Sequence, residues 1–190
     1  MSEKKIDRRV KYTKKVLRQA ILDLLKEKPI NKITVKEICS LADVNRGTFY
    51  SHYYDTYDLL EQIENDFYNQ VKNAVDISLH RVDTTFFLKD TIQIIYDNSD
   101  LCKILFSEYG NQSFIKKIIN IAKEKSMQEW ETEGENVSKK DLAYLYTFVS
   151  SGVVGIIQSW VISGLKEHPE EIALIIEDFS NSLKTVLEKK

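Results

Sequence analysis

Residues 34–53 read TVKEICSLADVNRGTFYSHY and carry start signals for two short helices. Thr34 and Glu37 have the T-x-x-E spacing of a capping box, in which each side chain bonds a free backbone N–H group at a helix start. The run Asp43-Val44-Asn45 breaks the first helix, and Asn45 is a residue type favoured at the N-cap of the next one. The stretch therefore predicts two short helices joined by a three-residue turn.

Such a pair is typical of a helix-turn-helix, whose second helix lies in the major groove of DNA. Gly47 weakens that second helix by about 1 kcal/mol relative to alanine, and its place near the helix start would let the backbone approach DNA closely. Arg46 and Thr48 project from the first turn, where base edges are met. Tyr50 and His52 offer hydroxyl and imidazole donors to phosphate oxygens.

Apolar residues around this unit predict its core. Phe49 and Tyr53 lie four positions apart and are expected to face inward. A helical stripe over residues 16–25 precedes the unit, and Pro29 is expected to stop that helix, while the polar residues 1–9 are expected to be frayed. Asp55 or Thr56 can cap a further helix with an apolar stripe from 59 to 75.

The rest of the chain shows helical periodicity without strand alternation, and the 6 glycines and 2 prolines among 190 residues favour long helices with short connections. Helices are expected over 86–96, 101–106 and from 115 onwards. Residues 131–138 are expected to form a loop, after which Ser138 and Asp141 can cap the next helix. We therefore predict an all-α fold of about nine helices.

Charge is divided unevenly along the chain. Residues 1–55 contain 13 Lys and Arg against 7 Asp and Glu, whereas residues 56–190 contain 14 against 22. A basic end of this kind suggests a polyanionic partner. Cys39 and Cys102 form no C-x-x-C motif and no apolar segment follows the opening MSEKK, so a reduced, cytoplasmic setting is expected.

Catalytic motifs are missing from the sequence. No G-x-S-x-G, glycine-rich phosphate loop or H-E-x-x-H occurs, and neither His80 nor His168 has metal-ligand spacing. We therefore expect no enzyme activity, no metal and no cofactor.

Residues 142–165 form a run of 24 residues without a charge. That length is enough to cross a bilayer. The run contains six Ser, Thr and Gln residues, however, and no other segment looks membrane-bound. A helix that is apolar on most sides is otherwise buried in a core or an interface, which is the prediction made here.

Residues 33–60, ITVKEICSLADVNRGTFYSHYYDTYDLL, resemble the DNA-binding domain of TetR-type transcriptional repressors, and the likeness spans roughly residues 10 to 70. The resemblance implies a DNA-binding domain over 10–71, with its helix-turn-helix at 34–53, and a ligand-binding and dimerisation domain over 72–190. It also implies a homodimer that binds a palindromic double-stranded DNA operator and is released by a small apolar effector.

The resemblance assigns roles to individual residues. Thr34 would cap the first helix of the unit and touch a phosphate. Thr56 stands where the family often has a phosphate-binding lysine, and Cys39 stands where alanine is usual. The residues expected at DNA are Thr34, Val35, Asn45, Arg46, Gly47, Thr48, Tyr50, Ser51, His52, Tyr54 and Thr56.

Two later segments, LFSEYGNQSFIKKI (105–118) and FVSSGVVGIIQSWVISGLKEHPEEIA (148–173), resemble the regulatory half of TetR-type proteins common in Gram-positive bacteria. This likeness implies dimerisation through the last two helices, at Gly152, Gly155, Ile156, Ser159, Trp160, Ile175, Phe179 and Leu183. Aromatic residues that could line an effector pocket are Phe86, Phe87, Phe106, Tyr109, Tyr146 and Trp160. Control by a protein partner instead of a small ligand remains open at this point.

Overall fold

The structure is a computed structural model that describes residues 3–78, 85–133 and 138–187. Within these ranges all regular secondary structure is helical, and nine α-helices are present, which confirms the predicted fold class. Their bounds are α1 Glu3–Leu25, α2 Val35–Leu41, α3 Arg46–Tyr50, α4 Thr56–Ser78, α5 Thr85–Asp97, α6 Ser99–Leu105, α7 Gln112–Glu133, α8 Lys139–Ile162 and α9 Pro169–Leu187, with a 3₁₀ turn at Ile30–Lys32.

The chain divides into two compact units. The first comprises Met1–Phe67 with Ser107–Gly110, and the second comprises Tyr68–Phe106 with Asn111–Lys190. Helix α4 contributes to both, because the division falls inside it. The functional boundary expected between residues 71 and 72 stays a prediction.

The core of the first unit is built from the apolar stripes of α1 to α4. Fully buried side chains are contributed by every one of these helices, namely Leu17, Ile21, Leu25, Ile38, Phe49 and Leu59. The buried residues of α1 recur at spacings of three and four, which keeps them on one side of the helix. This packing holds α2 and α3 in place, since neither is long enough to be stable alone.

The ends of α1 differ from the sequence-based expectation. The helix begins at Glu3, so residues expected to be frayed form its first turns. It ends at Leu25, before Pro29 is reached, because Lys26–Lys28 already form a turn in which the amides of Glu27 and Lys28 both bond the oxygen of Leu24. Pro29 then starts the 3₁₀ turn in an extended conformation.

In the second unit α5 packs against α9, and α7 packs against α8. Its fully buried side chains include Ile92, Leu101, Val161 and Ile176. Helix α7 runs to Glu133, so the expected loop begins later than predicted, and residues 134–137 lie outside the described residues. The predicted cap of α8 is confirmed, because the Ser138 hydroxyl accepts from the Asp141 amide at 3.1 Å.

Helix α8 is long and apolar enough over Lys140–Ile162 to cross a membrane by length and composition alone. One side of it packs inside the protomer through Leu142, Tyr146 and Val161. The other side is an exposed stripe containing Tyr144, Phe148, Gly152, Gly155, Ser159 and Ile162. From Leu142 to its end the helix carries no charge on either side, although only one side contributes to the core.

Candidate nucleic-acid interface

The capping box at the start of α2 is present as predicted. The Glu37 amide donates to the Thr34 hydroxyl oxygen at 3.3 Å, and the Thr34 amide donates to Glu37 Oε2 at 2.9 Å. The Thr34 hydroxyl also donates to the same carboxylate oxygen at 2.8 Å. Both donors of Thr34 are thus committed to Glu37. The phosphate contact that the resemblance implies for Thr34 stays a prediction, since the residue is exposed.

The turn between α2 and α3 is held by backbone geometry. Asp43 has a φ of 52°, in the left-handed region that Asp tolerates better than most residues. The Val44 amide donates to the Cys39 oxygen at 3.0 Å, which closes the turn. Asn45 then caps α3 as predicted, because its side-chain oxygen accepts from the Thr48 amide at 2.7 Å.

Helix α3 has one buried side and one exposed side. Phe49 and Tyr53 face the core, as predicted, and their ring centroids lie 5.7 Å apart. Arg46 and Gly47 are exposed, and Tyr50 keeps 58% of its surface accessible. The helix therefore displays a cation and a phenol to solvent from a rigidly anchored backbone.

The remaining predicted residues of this segment are less uniform. Thr48 and His52 are partly buried, while Val35 is partly buried at the first position of α2. Ser51 is exposed, but its hydroxyl donates to the Thr48 oxygen at 2.7 Å. Tyr54 is 84% exposed in the loop before α4.

Gly47 has a packing role that sequence reasoning missed. A Cβ atom at this position would lie 3.3 Å from the Asn45 side-chain oxygen, closer than side chains normally pack. A glycine here therefore leaves room for the cap of α3. This effect depends on the side chain two positions earlier, which helix propensities do not take into account.

The start of α4 corrects the prediction for Thr56. This residue is only 7% exposed, so its hydroxyl is not displayed for a phosphate. Asp55 supplies the cap instead, because its carboxylate accepts from the Asp58 amide at 2.9 Å. The Asp58 carboxylate in turn accepts from the Tyr54 amide at 2.7 Å, and this bond, followed by one from Gln62, lowers the pKa of Asp58.

Tyr57 is a candidate that the sequence did not single out. It follows the buried Thr56 and is 53% exposed. Together with Tyr50 and Tyr54 it gives this part of the first unit three exposed phenols, which can donate to phosphate oxygens. The only signal in the sequence is the position of Tyr57 at the beginning of a helix.

An ion pair lies beside the capping box of α2. Lys28 Nζ is 2.6 Å from Glu37 Oε1. The hydrogen bond from Lys28, followed by those from Thr34, lowers the pKa of Glu37 from 4.5 to about 2. Glu37 is therefore a carboxylate at neutral pH.

Two protein-family models match this chain. A family model described as "Bacterial regulatory proteins, tetR family" matches residues 17–63. A second model, described as "Transcriptional regulator C-terminal region", matches residues 83–182. The chain belongs to the TetR family. This result confirms the resemblance found in the sequence and makes the protein a TetR-family transcriptional regulator.

Individual relatives of this TetR-family chain are distant. The uncharacterized HTH-type transcriptional regulator YxbF of Bacillus subtilis (strain 168) is 28% identical over 108 residues, which cover 54% of this chain and 28% of that protein. The match thus spans less than a third of the relative's length.

Solved structures share the fold at low identity. A TetR regulator from Streptococcus agalactiae 2603V is 21% identical, with 94% of this chain and 99% of that chain covered and a TM-score of 0.62. The dihydroxyacetone kinase operon activator DhaS is 16% identical, with 93% and 96% covered and a TM-score of 0.60.

The aromatic residues expected to form an effector pocket differ in burial where the structure describes their side chains. Tyr146 is buried between helices and donates a hydrogen bond to the Ile119 oxygen at 3.1 Å. Phe106 is partly buried in the second unit, whereas Tyr109 is exposed and belongs to the first. The side chains of Phe86 and Phe87 lie outside the described residues.

A cavity lies elsewhere, as an apolar groove of about 310 Å³ between α8 and α9. Phe148, Gly152 and Phe179 are among the residues that line it. Of the predicted pocket residues whose side chains are described, namely Phe106, Tyr109, Tyr146 and Trp160, none lines this groove. Tyr146 and Trp160 are buried inside the protomer, and the effector pocket expected from the sequence stays a prediction.

The residues expected at a TetR-family dimer interface differ in burial within the protomer. Gly152, Gly155, Ser159, Ile175 and Phe179 are exposed on α8 and α9, and Ile156 is partly buried. Trp160 is corrected, because it is only 3% exposed and its ring stacks on Tyr96 at 6.1 Å between centroids. The side chain of Leu183 lies outside the described residues.

Proposed function

We propose that this TetR-family regulator binds a specific, palindromic operator as a homodimer and represses transcription until a small molecule releases it. The observation that carries the proposal is the exposed face of α3. Arg46 and Tyr50 project from a helix that is capped by Asn45 and anchored by Phe49 and Tyr53. Arginine is the side chain most often used to read guanine in the major groove, and tyrosine hydroxyls bond phosphates.

The division of labour follows the two halves of the chain. Residues 10–71 would bind DNA, and residues 72–190 would bind the effector and form the dimer. The exposed apolar stripe of α8, together with Phe179 on α9, supports this assignment, since large exposed apolar patches mark interaction surfaces. Two heads related by twofold symmetry would meet half-sites about 34–36 Å apart, or at a multiple of this distance. The protein would act in the cytoplasm.

The test is selection of bound sequences from random DNA, followed by gel-shift titration of the selected duplex. A palindromic consensus bound by a complex of two chains is expected. Selection that returns no consensus, with binding equal on all duplexes, would rule out sequence-specific operator recognition.

A second candidate is a regulator controlled by a protein partner. The observation in its favour is the open apolar groove on α8 and α9, which a partner helix could enter as well as a small molecule. One protein of similar fold is described as an operon activator, so a transcription assay on the selected operator, with and without the protein, has activation as one of its outcomes. A metabolite that raises the melting temperature in a thermal-shift screen would favour the small effector.

A further inference from the structure

Lys28 connects the loop after α1 to the first turn of α2. Its ammonium group is 2.6 Å from Glu37 Oε1, while Glu37 Oε2 accepts from the amide and the hydroxyl of Thr34 at 2.9 and 2.8 Å. Three donors thus occupy the two oxygens of one carboxylate. The Lys28 side chain keeps only 26% of its surface exposed, against 40% for Glu37.

The position of this carboxylate creates an electrostatic problem for a DNA-binding protein. Glu37 lies within α2, the helix that crosses the DNA backbone in a helix-turn-helix. An unpaired, exposed carboxylate there would repel phosphates. Glutamate is nevertheless useful at this position, because it completes the capping box with Thr34 and lies favourably near the positive end of the helix.

We propose that Lys28 is a positioning residue for DNA binding, which neutralises the carboxylate of Glu37 in the capping box without contacting DNA itself. The inference rests on the proposed operator binding. Lys28 differs from its neighbours Lys32 and Lys36, which are exposed. Its ammonium is turned toward the protein and already paired, so it is poorly placed to take a phosphate as well.

Two substitutions separate the charge of Glu37 from its role in the capping box, and together they test the proposal. Lys28→Met leaves the box intact but exposes an uncompensated carboxylate. Glu37→Gln removes the carboxylate while keeping a side chain that serves in capping boxes. We expect Lys28→Met to bind the selected operator about three- to tenfold more weakly, with its melting temperature nearly unchanged. Glu37→Gln should bind at least as tightly as the wild type, with a lower melting temperature.

The double variant Lys28→Met/Glu37→Gln should recover most of the lost affinity, and Lys28→Arg should behave as the wild type. Lys32→Met is the matched control, because it removes one positive charge from the same segment without unpairing Glu37. Its effect on affinity should not be reversed by adding Glu37→Gln. The slope of log affinity against log salt should be the same for the wild type and the double variant, since no phosphate contact is lost.

Two results would overturn the inference. A double variant that binds as weakly as Lys28→Met, with a salt slope smaller by about one, would make Lys28 a direct phosphate ligand. Equal losses of affinity and melting temperature in Lys28→Met would make its role purely structural. Failure of the proposed function looks different, because the wild-type protein would then select no operator at all.

Discussion

The indole nitrogen of Trp160 donates a hydrogen bond to the main-chain oxygen of Glu167 at 3.1 Å. The bond links the last turn of α8 to the loop that leads into α9. Between the two residues the chain turns back through Gly164 and Leu165, with φ values of 99° and 58°. The tryptophan therefore stabilises the α8–α9 corner of its own protomer and is not displayed to a second copy.

Two substitutions to glutamate separate core from interface on these helices. Trp160→Glu should unfold the second unit, because removing a large buried ring alone costs about 3–5 kcal/mol and a buried charge adds to the loss. Phe179→Glu should leave the fold intact, since this ring is 61% exposed, but should prevent dimerisation. Circular dichroism melting and light scattering measure the two effects. A Phe179→Glu variant that stays dimeric would remove this face from the interface, and a Trp160→Glu variant that stays folded would contradict the core assignment.

Arg46→Ala and Tyr50→Ala should weaken operator binding without changing the fold. Both side chains are exposed on α3, and loss of a base contact of the arginine type costs about 1–3 kcal/mol, roughly five- to 150-fold in affinity. Gel-shift titration with unchanged melting temperatures is the measurement. Phe49→Ala is the contrasting variant. Because this ring is fully buried, its removal should lower mainly the stability of the fold. Normal affinity in both exposed variants would place the recognition surface elsewhere.

Gly47→Ala should raise stability and lower operator affinity. Alanine gains up to about 1 kcal/mol in helix propensity. The new methyl group would press on the Asn45 oxygen at 3.3 Å, but the 2.7 Å bond of that oxygen to the Thr48 amide can lengthen slightly without breaking. The methyl group would also stand on the exposed face that approaches DNA. Urea denaturation measures the stability, and gel-shift titration measures the operator affinity. A less stable variant would show that the Asn45 side chain cannot move enough to admit the methyl group.

Stability should fall in acid partly through Glu37. Its folded-state pKa of about 2 lies below the ordinary 4.5, so folding favours the ionised form. The contribution is fully present above about pH 4.5 and is lost as the pH falls toward 2. Glu37→Gln should show a shallower loss of melting temperature over this range than the wild type, whereas at neutral pH it should be the less stable of the two.

Local signals in the sequence predicted the helix-turn-helix well. The caps at Thr34, Asn45 and Ser138 depend on residues three apart, and the burial of Phe49 and Tyr53 depends on helical spacing, so all of them can be read from a short window. The burial of Thr56 could not be predicted from a short window of sequence. Asp55 and Thr56 are both suitable caps, and only the packed structure shows which of them begins α4.

For helix α8 the sequence did not predict which side faces the core. Charged residues normally mark the solvent side of a helix, but residues 142–165 contain none. The sequence therefore does not show how the helix is rotated about its axis, and Trp160 was expected on the same side as Gly152 and Ser159. The residues that settle the rotation, such as Ile119 and Tyr96, come from distant parts of the chain.

The five residues of α3 have a consequence for measurement. So short a helix holds few internal hydrogen bonds, among them the Phe49 amide to the Asn45 oxygen and the Ser51 amide to the Gly47 oxygen. Such amides should exchange with deuterium quickly whenever the segment opens locally. A duplex laid along the helix would suppress that opening, so slower deuterium uptake at these amides would report operator occupancy without any substitution or label.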